Sequence, residues 1–231
     1  MTTTTTEGKC AFCGATFSAS VVGRHVESCD KRKSLLRQKG ANSVPPSSSS
    51  MHLLIKGSND LSMYWMHLEA DSNVKLRDLD AFLRGMWLEC CGHLSMFEIE
   101  DETYSVEPQK EYDDRSMNVK LGSVLREGMK FSYEYDLGTT TSLDLKTVST
   151  HHPSWLSRKE RKFELLARND QPAIQCGACG KELATSVCSD CIWEGQKAWL
   201  CNDCSKKHEC GEEMLLPVVN SPRVGMCAYE G

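Results

Sequence analysis

Two short stretches, dense in cysteine and histidine, constrain this chain more than any other feature of it. The first is spaced Cys10-x2-Cys13-x11-His25-x3-Cys29. The second runs Cys176-x2-Cys179, Cys188-x2-Cys191, Cys201-x2-Cys204 and His208-x-Cys210, eight ligand-type residues within 35 positions. A C-x2-C pair lets two thiolates of one turn reach the same ion, and thiolate with imidazole is the donor set of zinc. The N-terminal stretch has only Phe12, Phe17, Val21 and Val22 as a core. So small a unit does not fold on apolar burial alone, whereas zinc contributes on the order of 10–16 kcal/mol in finger peptides. Four ligands complete one tetrahedral site and eight complete two, so the expectation is about three structural Zn²⁺ ions. Closed, thiolate-rich sites leave no position for water and make poor Lewis acids, which excludes catalysis at them.

Disulfides are the competing use of thirteen cysteines. The start, MTTTTTEGKC, lacks the basic region and apolar stretch of a secretory signal, and no run of 18 apolar residues occurs. The expected address is therefore cytoplasmic with no membrane span, and thiols in a reducing compartment favour metal.

Charge divides the chain. The net charge is −5 overall, but +4 over residues 1–50, −8 over 51–150 and −1 over 151–231. An acidic middle argues against nucleic acid wrapped around the whole molecule, while the basic run KRKSLLRQK at 31–39 leaves a local contact open. Residues 40–50, GANSVPPSSSS, read as a linker in which the serines bury nothing.

Residues 51–150 carry the clearest periodicities. Segments 53–55 and 63–70 suit strands, the second with Tyr64, Met66, Leu68 and Ala70 on one face. Leu76, Leu79, Phe82, Leu83, Met86 and Trp87 make the stripe of an amphipathic helix that Gly92 would end. Segment 94–99 and the alternating Phe131, Tyr133 and Tyr135 read as strands, with Leu143 and Leu145 in a partner strand across a turn. Strands, helix and further strands give an α+β class, a β-grasp-like centre flanked by small zinc modules. The domains are then 1–39, 51–150, a charged helical connector within 151–172, a two-zinc module at 173–213 and a tail at 214–231.

Three resemblances follow. His93, Leu94, Phe97, Ile99 and Tyr104, with Tyr133, Tyr135, Asp136 and Gly138, resemble the two signature segments of the plasmid pRiA4b ORF-3-like family. Threonines and Leu143 stand where that family has Asp, Trp and His. The likeness implies a fold and carries no activity. It also implies that the tail, with Ala228-Tyr229 in the place of a Gly-Tyr pair, returns to the middle domain. The N-terminal spacing resembles the ubiquitin-binding fingers of translesion-repair ligases, which implies a protein contact near Glu27. The C-terminal order resembles MYND and ZZ cross-brace fingers, which implies Cys176, Cys179, Cys201 and Cys204 on one ion, and Cys188, Cys191, His208 and Cys210 on another. Pairing of sequential neighbours is the alternative that spacing alone leaves open.

Cys90 and Cys91 read as small buried hydrophobes, Cys227 as a thiol without a ligand partner, and His151 and His152 as solvent-facing loop residues. No Ser/His/Asp set or phosphate loop stands out. The expected function is a non-enzymatic adaptor that recognises a protein partner. A nucleic-acid-binding or regulatory protein, contacting phosphates through Lys31, Arg32 and Lys33, is the alternative. An enzyme built around His93, Asp136 or Cys90 is the weakest reading. No small-molecule substrate is evident.

Overall fold

The computed structural model describes residues 6–40, 49–152, 156 and 161–231. The chain divides into two compact units: residues up to Phe82 with Leu94–Asp170, and Leu83–His93 with Gln171–Gly231. Among the described residues no helix is long and apolar enough to cross a membrane.

The first unit holds strands β1 (Glu7–Cys10) and β2 (Thr16–Ser18), helices α1 (Ala19–Ser28) and α2 (Asp30–Gly40), and strands β3 (Ser50–Gly57) and β4 (Trp65–Asp71). Helix α3 (Leu76–Leu83) follows and carries the chain out of this unit. Strands β5 (Ser95–Ile99), β6 (Glu102–Ser105) and β7 (Arg115–Ser116), the single turn α4 (Leu121–Val124), and β8 (Lys130–Tyr135), β9 (Thr141–His151) and β10 (Phe163–Asn169) complete it. These ten strands form one sheet in the order β2-β1-β10-β4-β3-β9-β8-β5-β6-β7. Among the described residues, only the β6/β7 pair of this sheet is parallel. The α+β expectation holds at the level of a mixed fold dominated by a large sheet.

Strand β4 explains much of this unit. Met66, Leu68 and Ala70 lie on one face, and Trp65, His67 and Glu69 on the other, all of them buried. A strand covered on both faces needs a second layer, and the N-terminal residues supply it. Val22 and Val26 of α1 pack with Cys10 and Cys29 against Trp65, Leu166 and Ala167. Strand β1 meanwhile pairs antiparallel with β10, Gly8 opposite Asn169. A Cβ on Gly8 would sit 2.2 Å from the Arg168 carbonyl oxygen and 2.6 Å from the Trp65 ring, so only glycine admits this approach. The N-terminal module is thus a built-in part of the sheet.

Three expectations are corrected here. Segment 163–169 is a strand inside the sheet, not part of a helical connector. Flanked by β1 and β4, it has buried residues alternating with half-buried ones, and a bulge between Leu165 and Ala167 breaks that alternation. Of the rest of that connector, residues 153–155 and 157–160 lie outside the described residues. The linker reading applies to 41–48, also outside them, but fails at Ser50, which starts β3, is fully buried and donates to Glu69. His151 closes β9, is buried and lies 3.3 Å from Ser149 Oγ, while His152 is exposed as expected.

In the second unit α3 gives way to one π turn, Arg84–Leu88, and the helical path ends at Glu89, ahead of Gly92. A three-stranded sheet in the order β12-β11-β13 follows, from β11 (Ser186–Cys188), β12 (Trp199–Leu200) and β13 (Leu215–Pro217). The single turn α5 (Asn202–Ser205) lies between β12 and β13.

Candidate metal centres

Among the described residues, four groups of ligand-type side chains converge, each with its ligand atoms within 4.8 Å of one another. In the first, Cys10 ends β1, Cys13 sits on the following turn, His25 lies on α1 and Cys29 caps it. The Cys13 Sγ to His25 Nε2 distance is 3.3 Å, and Cys10 Sγ to Cys29 Sγ is 3.9 Å. Phe17 stacks on the His25 ring at 3.9 Å and fixes its plane. In the second, Cys176, Cys179, Cys201 and Cys204 meet, with Cys179 Sγ 3.9 Å from Cys201 Sγ. In the third, Cys191 Sγ lies 3.6 Å from His208 Nε2 and 3.5 Å from Cys210 Sγ, with Cys188 alongside. The C-terminal block is therefore grouped in the interleaved order. Cys176 and Cys179, which precede β11, meet Cys201 and Cys204, which follow β12, while Cys188 and Cys191, at and just after the end of β11, meet His208 and Cys210, which precede β13.

These distances discriminate between chemistries. With Zn–S about 2.3 Å and Zn–N about 2.0–2.1 Å, a tetrahedron has S···S edges of about 3.7–3.8 Å and S···N edges of about 3.5 Å. A disulfide needs its sulfurs about 2.05 Å apart. The observed separations of 3.3 to 3.9 Å are close to such edges and far longer than a disulfide bond.

Crowding shows in the thiol acidities. Burial pushes Cys10 up to about 11. The neighbouring Cys201 thiol holds Cys204 up, to about 12, and Cys191 does the same to Cys210. Burial opposes ionisation of Cys176 as well, yet amides of Cys179, Cys201 and Ala178 outweigh it and bring the thiol down to about 6. Several thiolates in one cage repel one another, and a bound cation is what relieves the conflict.

The fourth group was not expected. Cys90, Cys91, His93 and Cys227 converge, with Cys91 Sγ 3.7 Å and His93 Nε2 3.3 Å from Cys227 Sγ. Cys90 is half-buried and Cys91 exposed, so neither is the buried hydrophobe that adjacent cysteines suggested. Cys227 is no isolated thiol.

No family model matches the chain, and no curated protein matches it. Among solved structures, one similar to it is the crystal structure of a protein of unknown function from Methanosarcina mazei Go1. That likeness has 15% identity and a TM-score of 0.42, over 52% of this chain and 67% of the other.

The residues expected to meet a partner divide. Lys31 and Lys33 are exposed on α2, but Arg32 is 1% exposed. Its guanidinium donates to Glu69 at 2.7 Å and to the Val26 carbonyl at 3.0 Å, so it faces the sheet and reaches no phosphate. Glu27 is likewise drawn inward. It accepts from Ser149 Oγ at 2.5 Å and lies 3.1 Å from His52 Nδ1, whose Nε2 is 2.7 Å from His67 Nδ1. The hydrogen bond from His52 holds the Glu27 carboxyl down, to about 2. Burial pushes His67 down to about 3, leaving it neutral. Asp136 builds a turn: at φ 64° it accepts from the amides of Gly138 and Thr139. This chain of Glu27, His52, His67 and Ser149 under α1 went unnoticed in the sequence, because nothing local links residues 27, 52, 67 and 149.

Proposed function

We propose that the protein is a non-enzymatic zinc-binding adaptor, whose Cys/His clusters hold structural ions and whose outer surface recognises a protein partner. The observation that carries this reading is the set of four-ligand groups, each with its ligand atoms within 4.8 Å of one another and with pair separations that suit a tetrahedron. Each offers four protein donors, so an ion there would have no vacant position for a substrate or an activated water. The ions would hold turns that have little apolar core of their own.

The partner role is supported by Trp193, 70% exposed between the cluster residue Cys191 and the β12 strand. A bound ion would fix that turn, and a rigidly presented indole is the kind of anchor that dominates protein interfaces. The inward-facing Arg32 and Glu27 weigh against the phosphate-binding alternative and against a ubiquitin-type contact through Glu27. The same reading takes residues 51–150 as a β-grasp-like, pRiA4b ORF-3-like domain, supported by His93, Phe97, Ile99, Tyr133, Tyr135 and Gly138.

The test combines metal analysis with capture. Gently purified protein should carry at least three zinc ions per chain. Trp193→Ala should retain that zinc while losing partner proteins captured by the wild type from extract of its source cells. A metal-free but folded preparation overturns the reading. So does salt-sensitive DNA or RNA binding that Lys31→Ala and Lys33→Ala abolish.

A further inference from the structure

We infer that Cys90, Cys91, His93 and Cys227 form a fourth zinc site, a surface clasp that ties the C-terminal segment to the excursion at 83–93. The inference rests on the proposed zinc chemistry of the other clusters but concerns a site that no C-x2-C spacing announces.

Both walls of this site are built. On one side the π turn is closed by the Glu89 amide donating to the Arg84 carbonyl at 2.8 Å. Arg84 Nε meets Glu89 Oε2 at 2.5 Å, and the other Glu89 oxygen accepts the Gly92 amide at 2.6 Å. That clamps the three ligands on positions 90, 91 and 93. On the other side Ser221 Oγ donates to the Trp87 carbonyl at 2.5 Å and accepts the Arg223 amide at 2.8 Å. Successive turn bonds, Val224 to Ser221 and Met226 to Arg223, carry the loop to Cys227. Gly225 takes φ 80°, and a Cβ there would lie 2.3 Å from Ile192 Cδ1.

The geometry points to a ligand rather than to idle thiols. Cys227 and Ala228 both take left-handed backbone, φ 47° and 52°, which non-glycine residues adopt only when the surroundings impose it. The Sγ of Cys227 is thereby presented to Cys91 at 3.7 Å and to His93 at 3.3 Å. Arg223 donates to Cys90 Sγ at 3.6 Å. Three thiolates and one imidazole around Zn²⁺ carry a net negative charge, and this guanidinium offsets it. On binding, each thiol gives up its proton to solvent as its Zn–S bond forms.

Exposure sets this site apart. Each of the other three groups has at least one buried cysteine, whereas none of these four residues is buried. A ligand set open to solvent exchanges most readily, so the clasp is the first zinc to leave.

The experiment uses the intact chain. Zinc is quantified per chain, and alkylation with a thiol reagent is mapped by mass spectrometry before and after graded chelation. Four zinc ions are expected, with Cys91 and Cys227 protected although exposed. The first equivalent removed should unmask Cys90, Cys91 and Cys227 together, ahead of every other cysteine. Cys91→Ser combined with Cys227→Ser should lower the content from four to three. If metal is present but the wild type and the double variant both hold three ions, with Cys91 and Cys227 reactive throughout, the clasp fails while the adaptor reading stands. A Cys91–Cys227 disulfide without metal also overturns it. Absence of zinc from the whole protein sinks both.

Discussion

At the scale of single residues, the most consequential side chain is Arg32, which reads in the sequence as one member of a basic run. Helix periodicity puts it on a face but does not say what that face meets, and here it meets the acidic Glu69 on a strand 37 residues away. Both are buried, to 1% and 0% side-chain exposure. Burial pushes the Glu69 carboxyl up, while Arg32 and the Ser50 hydroxyl draw it back. Taking two charges out of water is costly, so such a pair adds little net stability, yet breaking it strands one charge. Arg32→Met should therefore destabilise zinc-saturated protein by about 3–5 kcal/mol, by the usual cost of orphaning a buried ion. Adding Glu69→Leu should restore most of that loss. Urea midpoints at fixed free zinc measure both; a single variant that unfolds with the wild type would mean that the pair is open to water. The cysteines missed in the sequence are a lesson at the same scale. Cys91-x-His93 repeats the one-residue spacing of His208-x-Cys210, the only local hint, but its completing thiol lies 134 residues beyond His93.

At the scale of elements, β1 and β10, the first and last strands of the large sheet in chain order, are hard to read in the sequence. β5, β8 and β9 were legible because alternation survives where one face of a strand is more open, as Glu98, Glu134 and Lys146 show. β10 reads as helix in the sequence because it follows charged residues and a bulge between Leu165 and Ala167 interrupts its period-two patterning. The N-terminal module reads as a satellite for another reason: its ligand spacing is complete in itself, and nothing in it announces β1 as an added strand. Its integration has a consequence. Deleting residues 1–40 would open the β10 edge and uncover Trp65, His67 and Glu69, two of them polar, and would strip Glu69 of its Arg32 partner on the missing α2. The truncated chain should aggregate or lose well over 10 °C in melting temperature, since even about 3 kcal/mol shifts a domain of 150–250 residues by roughly 6–12 °C. An independent satellite finger would be removed with almost no change in the melting of the rest.

At the scale of the whole molecule, the clusters are shared unequally between the two units: one in the first and three in the second. The first unit has strands of up to 11 residues paired into a ten-stranded sheet, with a core that includes Trp65, Phe97, Tyr133 and Leu53. The second has no strand longer than three residues, and its apolar interior among the described residues is smaller, with Leu83, Trp87, Leu88, Val187, Leu200, Leu216, Val224 and Tyr229 among its buried side chains. Apolar burial at roughly 25 cal/mol per Å² sustains the first kind of unit and leaves the second dependent on cross-links. On the proposed reading, zinc at the clusters would supply those cross-links as folding free energy, and its removal would act where the apolar core is thinnest. Exhaustive chelation should consequently abolish amide-exchange protection across Leu83–His93 and Gln171–Gly231. Protection of β3, β4, β8 and β9 should fall far less. Hydrogen exchange read segment by segment distinguishes this from the alternative in which the sheet collapses together with the C-terminal unit. That outcome would mean the Cys10 site props up the entire sheet and that the two units melt as one.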